Sequence, residues 1–134
     1  MKVKEMNTKT TNQKLLLYSG IIFLALGILG NSILGPSVYS SILGDFFWLN
    51  QTENYAHLIV GLILLVSFFK LRNPLHIKLL IIFIGALSLL VSILGFLRVE
   101  FITPYIGQTW ERNPSDSIMH LVLSFWIFWT ILTD

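Results

Sequence analysis

The 134-residue chain contains no cysteine, and only 12% of its residues are charged. The first absence removes disulfides, thiolate metal sites, iron–sulfur clusters and cysteine nucleophiles together. The second removes a class of molecule. Soluble domains carry roughly 25% charged residues, and half that proportion does not cover a water-facing surface. No phosphate-binding loop, nucleophile elbow or zinc-protease motif occurs, so the chain is expected not to be an enzyme. Its length allows one compact unit.

What is present is apolar: 54% of the residues are hydrophobic, and the mean hydropathy is +0.75. Four apolar runs stand at about 15–35, 51–71, 74–97 and 114–132. Each is close to the ~20 residues that cross a hydrocarbon core as a helix. Helices are expected because a segment in lipid must satisfy its own backbone hydrogen bonds, and nothing alternates with the period of a strand. The expected fold is therefore all-α membrane, four transmembrane helices in two hairpins over 15–134, preceded by a basic, disordered cytoplasmic tail over 1–14. The first run exceeds the roughly 7–15 apolar residues of a signal peptide and no small-x-small site follows, so it is expected to be retained.

Lysine and arginine set the orientation. Lys2, Lys4, Lys9, Lys14, Lys70, Arg72 and Lys78 fall on one side, against Arg98 and Arg112 on the other. Both termini are thus expected in the cytoplasm. The net charge of +2 and pI near 9.0 reflect this bias rather than an acidic partner. The partner implied is the lipid bilayer, and no nucleic acid is implied. Trp48 and Trp110 in the outer loops, and Trp126 and Trp129 near the inner end of the fourth run, are placed as interfacial aromatic belts.

The two halves repeat each other. A shift of 65 places Gly20 on Gly85, Gly27 on Ser92 and Gly30 on Gly95; a shift of 63 places Asn50 on Asn113, Glu53 on Asp116 and His57 on His120. One helical hairpin is used twice, with a pseudo-two-fold axis along the membrane normal. The small residues of the first and third helices permit close approach, either inside the bundle or in a homo-oligomer or membrane complex.

The polar residues of the repeat form one constellation. Asn50 and Asn113 are helix caps, Pro114 suits a first helical position, and Glu53 and Asp116 stand where a carboxylate reaches back to the cap. Capping accounts for these residues without further function. It does not account for His57 and His120, each one helical turn beyond its acid and on the same face. Ionisable groups at that depth usually face the bundle interior, so both pairs are expected near one level toward the outer side. Three readings follow. The acid–histidine pairs lock the hairpins together, as polar residues do between membrane helices. Alternatively, Glu53, His57, Asp116 and His120 bind a divalent transition metal or take part in proton-coupled ion binding or transport, although carboxylates used for capping are not free to bind metal. Third, the two histidines serve a haem or a quinone in a redox protein.

The first copy reads Asn50-Gln-Thr-Glu53-Asn54-Tyr-Ala-His57-Leu58-Ile-Val-Gly61, and the second Asn113-Pro-Ser-Asp116-Ser117-Ile-Met-His120-Leu121. The doubled pattern resembles a bacterial four-span membrane family catalogued as a domain of unknown function, and more loosely DoxX-like small membrane proteins. The resemblance covers nearly the whole chain after residue 14 and implies a multi-pass protein of a prokaryotic plasma membrane, with no activity attached. Ser117 and Ser124 depart from the Asn and Gly of the first copy, which puts close helix contact in doubt in the second hairpin.

Overall fold

A computed structural model describes residues 11–97 and 114–133. Four long helices account for most of them: α1 (Thr11–Gly30), α2 (Gln51–Lys70), α3 (Pro74–Phe96) and α4 (Pro114–Thr133). A short 3₁₀ turn, Gly44–Phe46, lies between α1 and α2, and no strand occurs among the described residues. The tail over residues 1–10, and Arg98, Trp110, Arg112 and the cap expected at Asn113, lie outside the described residues.

Local chemistry explains the helix ends. Asn50 caps α2 in a reciprocal box: the Glu53 backbone N–H donates to Asn50 Oδ1 (2.9 Å), and the Asn50 N–H donates to Glu53 Oε2 (2.8 Å). α3 opens with Pro74 at its first position and Asn73 as cap, accepting from the Leu75 N–H at 2.9 Å. At α1 the boundaries differ from the apolar run. The helix starts at Thr11, so Thr11–Lys14 belong to its first turn and not to the tail. It stops at Gly30, five residues before the run ends, because polar side chains occupy its last carbonyls. Asn31 Nδ2 donates to Gly27 O (2.8 Å), and the Ser32 hydroxyl to Ile28 O (3.2 Å). The following loop is fastened to itself by the Ile42 N–H to Ile33 O and the Leu49 N–H to Leu34 O, both 2.8 Å.

The helices pair as antiparallel hairpins, α1 with α2 and α3 with α4, and the backbones of different hairpins approach far less. Each hairpin closes by a different device. In the first, glycines let backbones meet: a Cβ on Gly27 would lie 2.8 Å from Asn54 O, and one on Gly61 2.7 Å from the backbone N of Leu24. In the second, serine hydroxyls bridge the gap, Ser92 donating to Ser117 O and Ser88 to His120 O, both at 2.8 Å. The small residues Gly20, Gly27, Gly30, Gly85, Ser88, Ser92 and Gly95 are all buried within the bundle. The interior divides by height. Leu15, Leu16, Leu64, Phe68, Ile77, Ile81 and Ile127 fill the end where the termini lie, and polar groups occupy the end beneath the 31–50 loop.

All four helices are long and apolar enough to cross a membrane, yet only 22–39% of each apolar window is buried inside the bundle. Their outer faces carry large apolar side chains such as Ile28, Ile59, Phe69, Phe83, Phe125 and Trp129, all exposed. A helix that is apolar on all sides belongs in an apolar surround.

The tight α1–α2 contact gives a test. A Cβ on Gly30 would overlap the side-chain amide of the wholly buried Asn54. Gly30→Ala should therefore lower stability by about 1–3 kcal/mol, read as a lower thermal midpoint by circular dichroism in detergent. Gly44 has open space around its Cβ position but φ of +53°, so Gly44→Asn, a residue that tolerates this conformation, should leave the midpoint unchanged.

Candidate polar site between the hairpins

The side chains singled out by the doubled motif come together. Glu53 and His57 project from α2, one turn apart; Asp116 and His120 project from α4 with the same spacing. Glu53, His57 and Asp116 are buried and His120 nearly so. The His57 and His120 rings lie 6.2 Å apart, centroid to centroid, and are nearly parallel at 19°. The carboxyl groups of Glu53 and Asp116 are neighbours across the same interface.

His120 is held from two sides. Ser88 Oγ is 3.1 Å from its Nδ1 and also donates to its carbonyl oxygen at 2.8 Å. The hydroxyl has one proton. With that proton on the carbonyl, the ring must carry its own at Nδ1 and donate to Ser88 Oγ. Nε2 then faces Asp116 Oδ1 at 3.6 Å without a hydrogen bond. His57 is held differently. Its ring packs on Phe23, with centroids 5.4 Å apart, and its Nδ1 is buried with no hydrogen-bond partner among the described residues. Glu53 uses Oε2 in the capping box, and its buried carboxyl also meets that of Asp116 across the interface.

Two cavities flank the histidine pair. The larger, about 220 Å³, is a half-open cleft between α2 and α3 whose lining includes Glu53, Ala56, His57, Val60, Ser88 and His120. The smaller, about 90 Å³, lies between α1 and α4 against His57, Asp116, Met119, His120 and Leu123. Against the about 150 Å³ of a cavity that accommodates benzene, the first space is larger and the second smaller. Among the described residues no group of three or more His, Asp and Glu side chains is arranged to hold a metal ion. The four candidate ligands meet as pairs, not as a shell around one point.

Three participants carry no signal in the motif. Ser88 and Ser92 read in the sequence only as small packing residues, and Phe23 as one apolar residue among many. Asn54, wholly buried beside Gly30, was visible only as part of the resemblance. The cap Asn50 and Pro114 at the first position of α4 stand where expected. Compared with family models, curated proteins and solved structures, the chain matches none.

The hydrogen-bond geometry generates a prediction. Ser88→Ala removes the link from α3 to both the ring and the backbone of His120. Interhelical hydrogen bonds between membrane helices average about 0.6 kcal/mol and reach about 1.7. Unfolding in mixed micelles should show a loss at the upper end of that range, because two contacts go at once. Ser40→Ala, in the exposed loop, should lose less.

Proposed function

We propose that the chain is a multi-pass membrane protein of a prokaryotic plasma membrane, with both termini cytoplasmic, and that it acts as a structural or interaction bundle. In this reading the acid–histidine pairs near the outer face join two copies of one hairpin. One observation carries it: the polar side chains of α2, α3 and α4 are buried where the two hairpins meet, while their backbones stay apart. A buried polar group needs a partner from the protein, so the pairs specify how one hairpin sits against the other. The apolar outer faces support the membrane setting, and the lysine bias supports the orientation.

The cavities support the duplication. Ala56, His57 and Val60 of the larger correspond by the shift of 63 to Met119, His120 and Leu123 of the smaller. Ile84, Leu87 and Val91 correspond by the shift of 65 to Ser19, Ile22 and Leu26. The two spaces are thus equivalent positions of the repeat, filled by larger side chains on one side. Kinship with the four-span family of unknown function is proposed on the same doubled motif.

A second reading, binding of a proton or small ion, is favoured by the unpartnered His57 Nδ1 and by the two buried carboxyls that meet beside it. Histidine substitution separates the two. As a structural element His120→Gln should lower the thermal midpoint in detergent more than His57→Gln, since only His120 is held by Ser88. Variants as stable as the parent, together with stabilisation by zinc that the double histidine variant loses, would replace the structural reading with the ionic one.

Orientation has its own test. With no native cysteine, single cysteines report sidedness directly. Ser40→Cys, in the exposed loop after α1, should react with a membrane-impermeant maleimide on intact cells. Lys9→Cys should react only after lysis. The reverse pattern would invert the topology.

A further inference from the structure

Two carboxyl groups meet inside the bundle, and no lysine or arginine pairs with either among the described residues. Glu53 of α2 and Asp116 of α4 are 6% and 3% exposed. Their side chains hydrogen-bond to each other across the hairpin interface. Glu53 Oε2 is also held by the Asn50 N–H at 2.8 Å. A carboxylate is an acceptor only, so two ionised acids cannot make the bond between them. One of the pair must carry a proton and donate it to the other.

The elements packed around the pair supply little other charge. α2 adds His57, and α4 adds His120, whose Nε2 lies 3.6 Å from Asp116 Oδ1 without a hydrogen bond. The two rings stand 6.2 Å apart. α3 faces the site with Ser88, whose hydroxyl is engaged on His120. Its His76 and Lys78 stand ten or more residues away, roughly 15 Å along the helix. α1 contributes Phe23, and its Lys14 and Tyr18 lie toward the end where the termini are. Asp45, in the loop, is exposed. Two negative charges side by side in such an interior are costly. A shared proton removes one of them and makes the remaining contact a charge-assisted hydrogen bond.

We propose that Glu53 and Asp116 form a proton-binding site, one proton shared between a carboxyl of each hairpin, and that this proton joins the hairpins at this level. Release breaks the donor's O–H bond. The proton passes to water, the donor becomes a second carboxylate, and attraction between the two groups turns to repulsion. Both acids stand in the first turn of their helices and not at mid-span, so the proton exchanges with the side on which the 31–50 loop lies. The site presupposes that these side chains join the hairpins, as proposed above, and supplies the joining ligand. Joined hairpins hold one proton more than separated ones, whose acids are both ionised at neutral pH. Stability therefore falls as pH rises, by up to about tenfold in the unfolding constant per pH unit while the site is filled.

Infrared spectroscopy on the full chain in lipid nanodiscs reads the proton, and reversible unfolding in mixed micelles reads its effect. The parent at neutral pH should show the carbonyl band of a protonated carboxyl, shifted by heavy water. Glu53→Gln should lose it. That variant keeps the capping box, which accepts Gln at this position. Its amide can donate to Asp116, so the hairpins stay linked without a proton. Raising the pH should remove the band from the parent. Over the same range the parent's unfolding constant should rise relative to that of Glu53→Gln, by up to about tenfold per unit. Histidine titration is common to both chains and drops out of the comparison. A parent without the band overturns the proposal, and acids that are nonetheless coupled in stability would leave the structural reading standing. A band that survives Glu53→Gln also overturns it. So does loss of the band with no change in the ratio of unfolding constants.

Discussion

A polar group taken out of water must find its partner inside the protein, and in this bundle that requirement is concentrated at one level. Glu53, His57, Ser88, Asp116 and His120 meet where the two hairpins face each other, beneath the 31–50 loop. Below them the interior is aliphatic, from Leu64 and Ile127 down to Leu15 and Ile77. Aliphatic contact is non-directional and tolerates sliding between helices. Paired polar groups do not, because a shift of one helical turn leaves them unmatched. In the proposed membrane setting the distinction sharpens: lipid tails are as apolar as the core, so apolar surface alone gives hairpins little reason to associate.

The two hairpins reach similar pairing by different chemistry. Where Gly27 brings α1 against Asn54 O, the equivalent Ser92 donates a hydroxyl to Ser117 O. Where Phe23 packs on His57, the equivalent Ser88 bonds His120. The first exchange trades direct backbone approach for a hydrogen bond across a wider gap. The second leaves one histidine anchored and the other with a free ring nitrogen. Differences in side-chain size then empty one cavity and fill the other. The two hairpins thus differ in the side chains that hold their histidines as well as in how their backbones meet.

Much of this was legible in the sequence, for definite reasons. Helix number follows from hydropathy, and the starts of α2 and α4 from Asn50 and Pro114. The meeting of His57 and His120 follows from their equal spacing beyond an acid and from the doubled motif. The end of α1 was only half legible: Asn31 and Ser32 visibly interrupt the apolar run, but that they end the helix by folding back onto its carbonyls required the structure. The roles of Ser88 and Ser92 were hidden for another reason. A serine in an apolar run is compatible with packing anywhere, and its hydroxyl's target depends on the stagger between α3 and α4. The same holds for Phe23, whose neighbour is fixed only by how the hairpins dock. Local patterns therefore reported the elements and the polar residues, while the partners of those residues required the assembled bundle.

The central claim is that side chains from opposite hairpins depend on each other at this level. A double-mutant cycle on Glu53→Gln and Asp116→Asn, with stability read from reversible unfolding in mixed micelles, measures that dependence directly. Both substitutions keep size and hydrogen-bonding capacity while removing the acid. Side chains in contact should show a coupling of at least about 0.5 kcal/mol. Strictly additive effects, with coupling inside the roughly 0.3–0.5 kcal/mol scatter of independent sites, would place the two acids in separate environments and contradict the account.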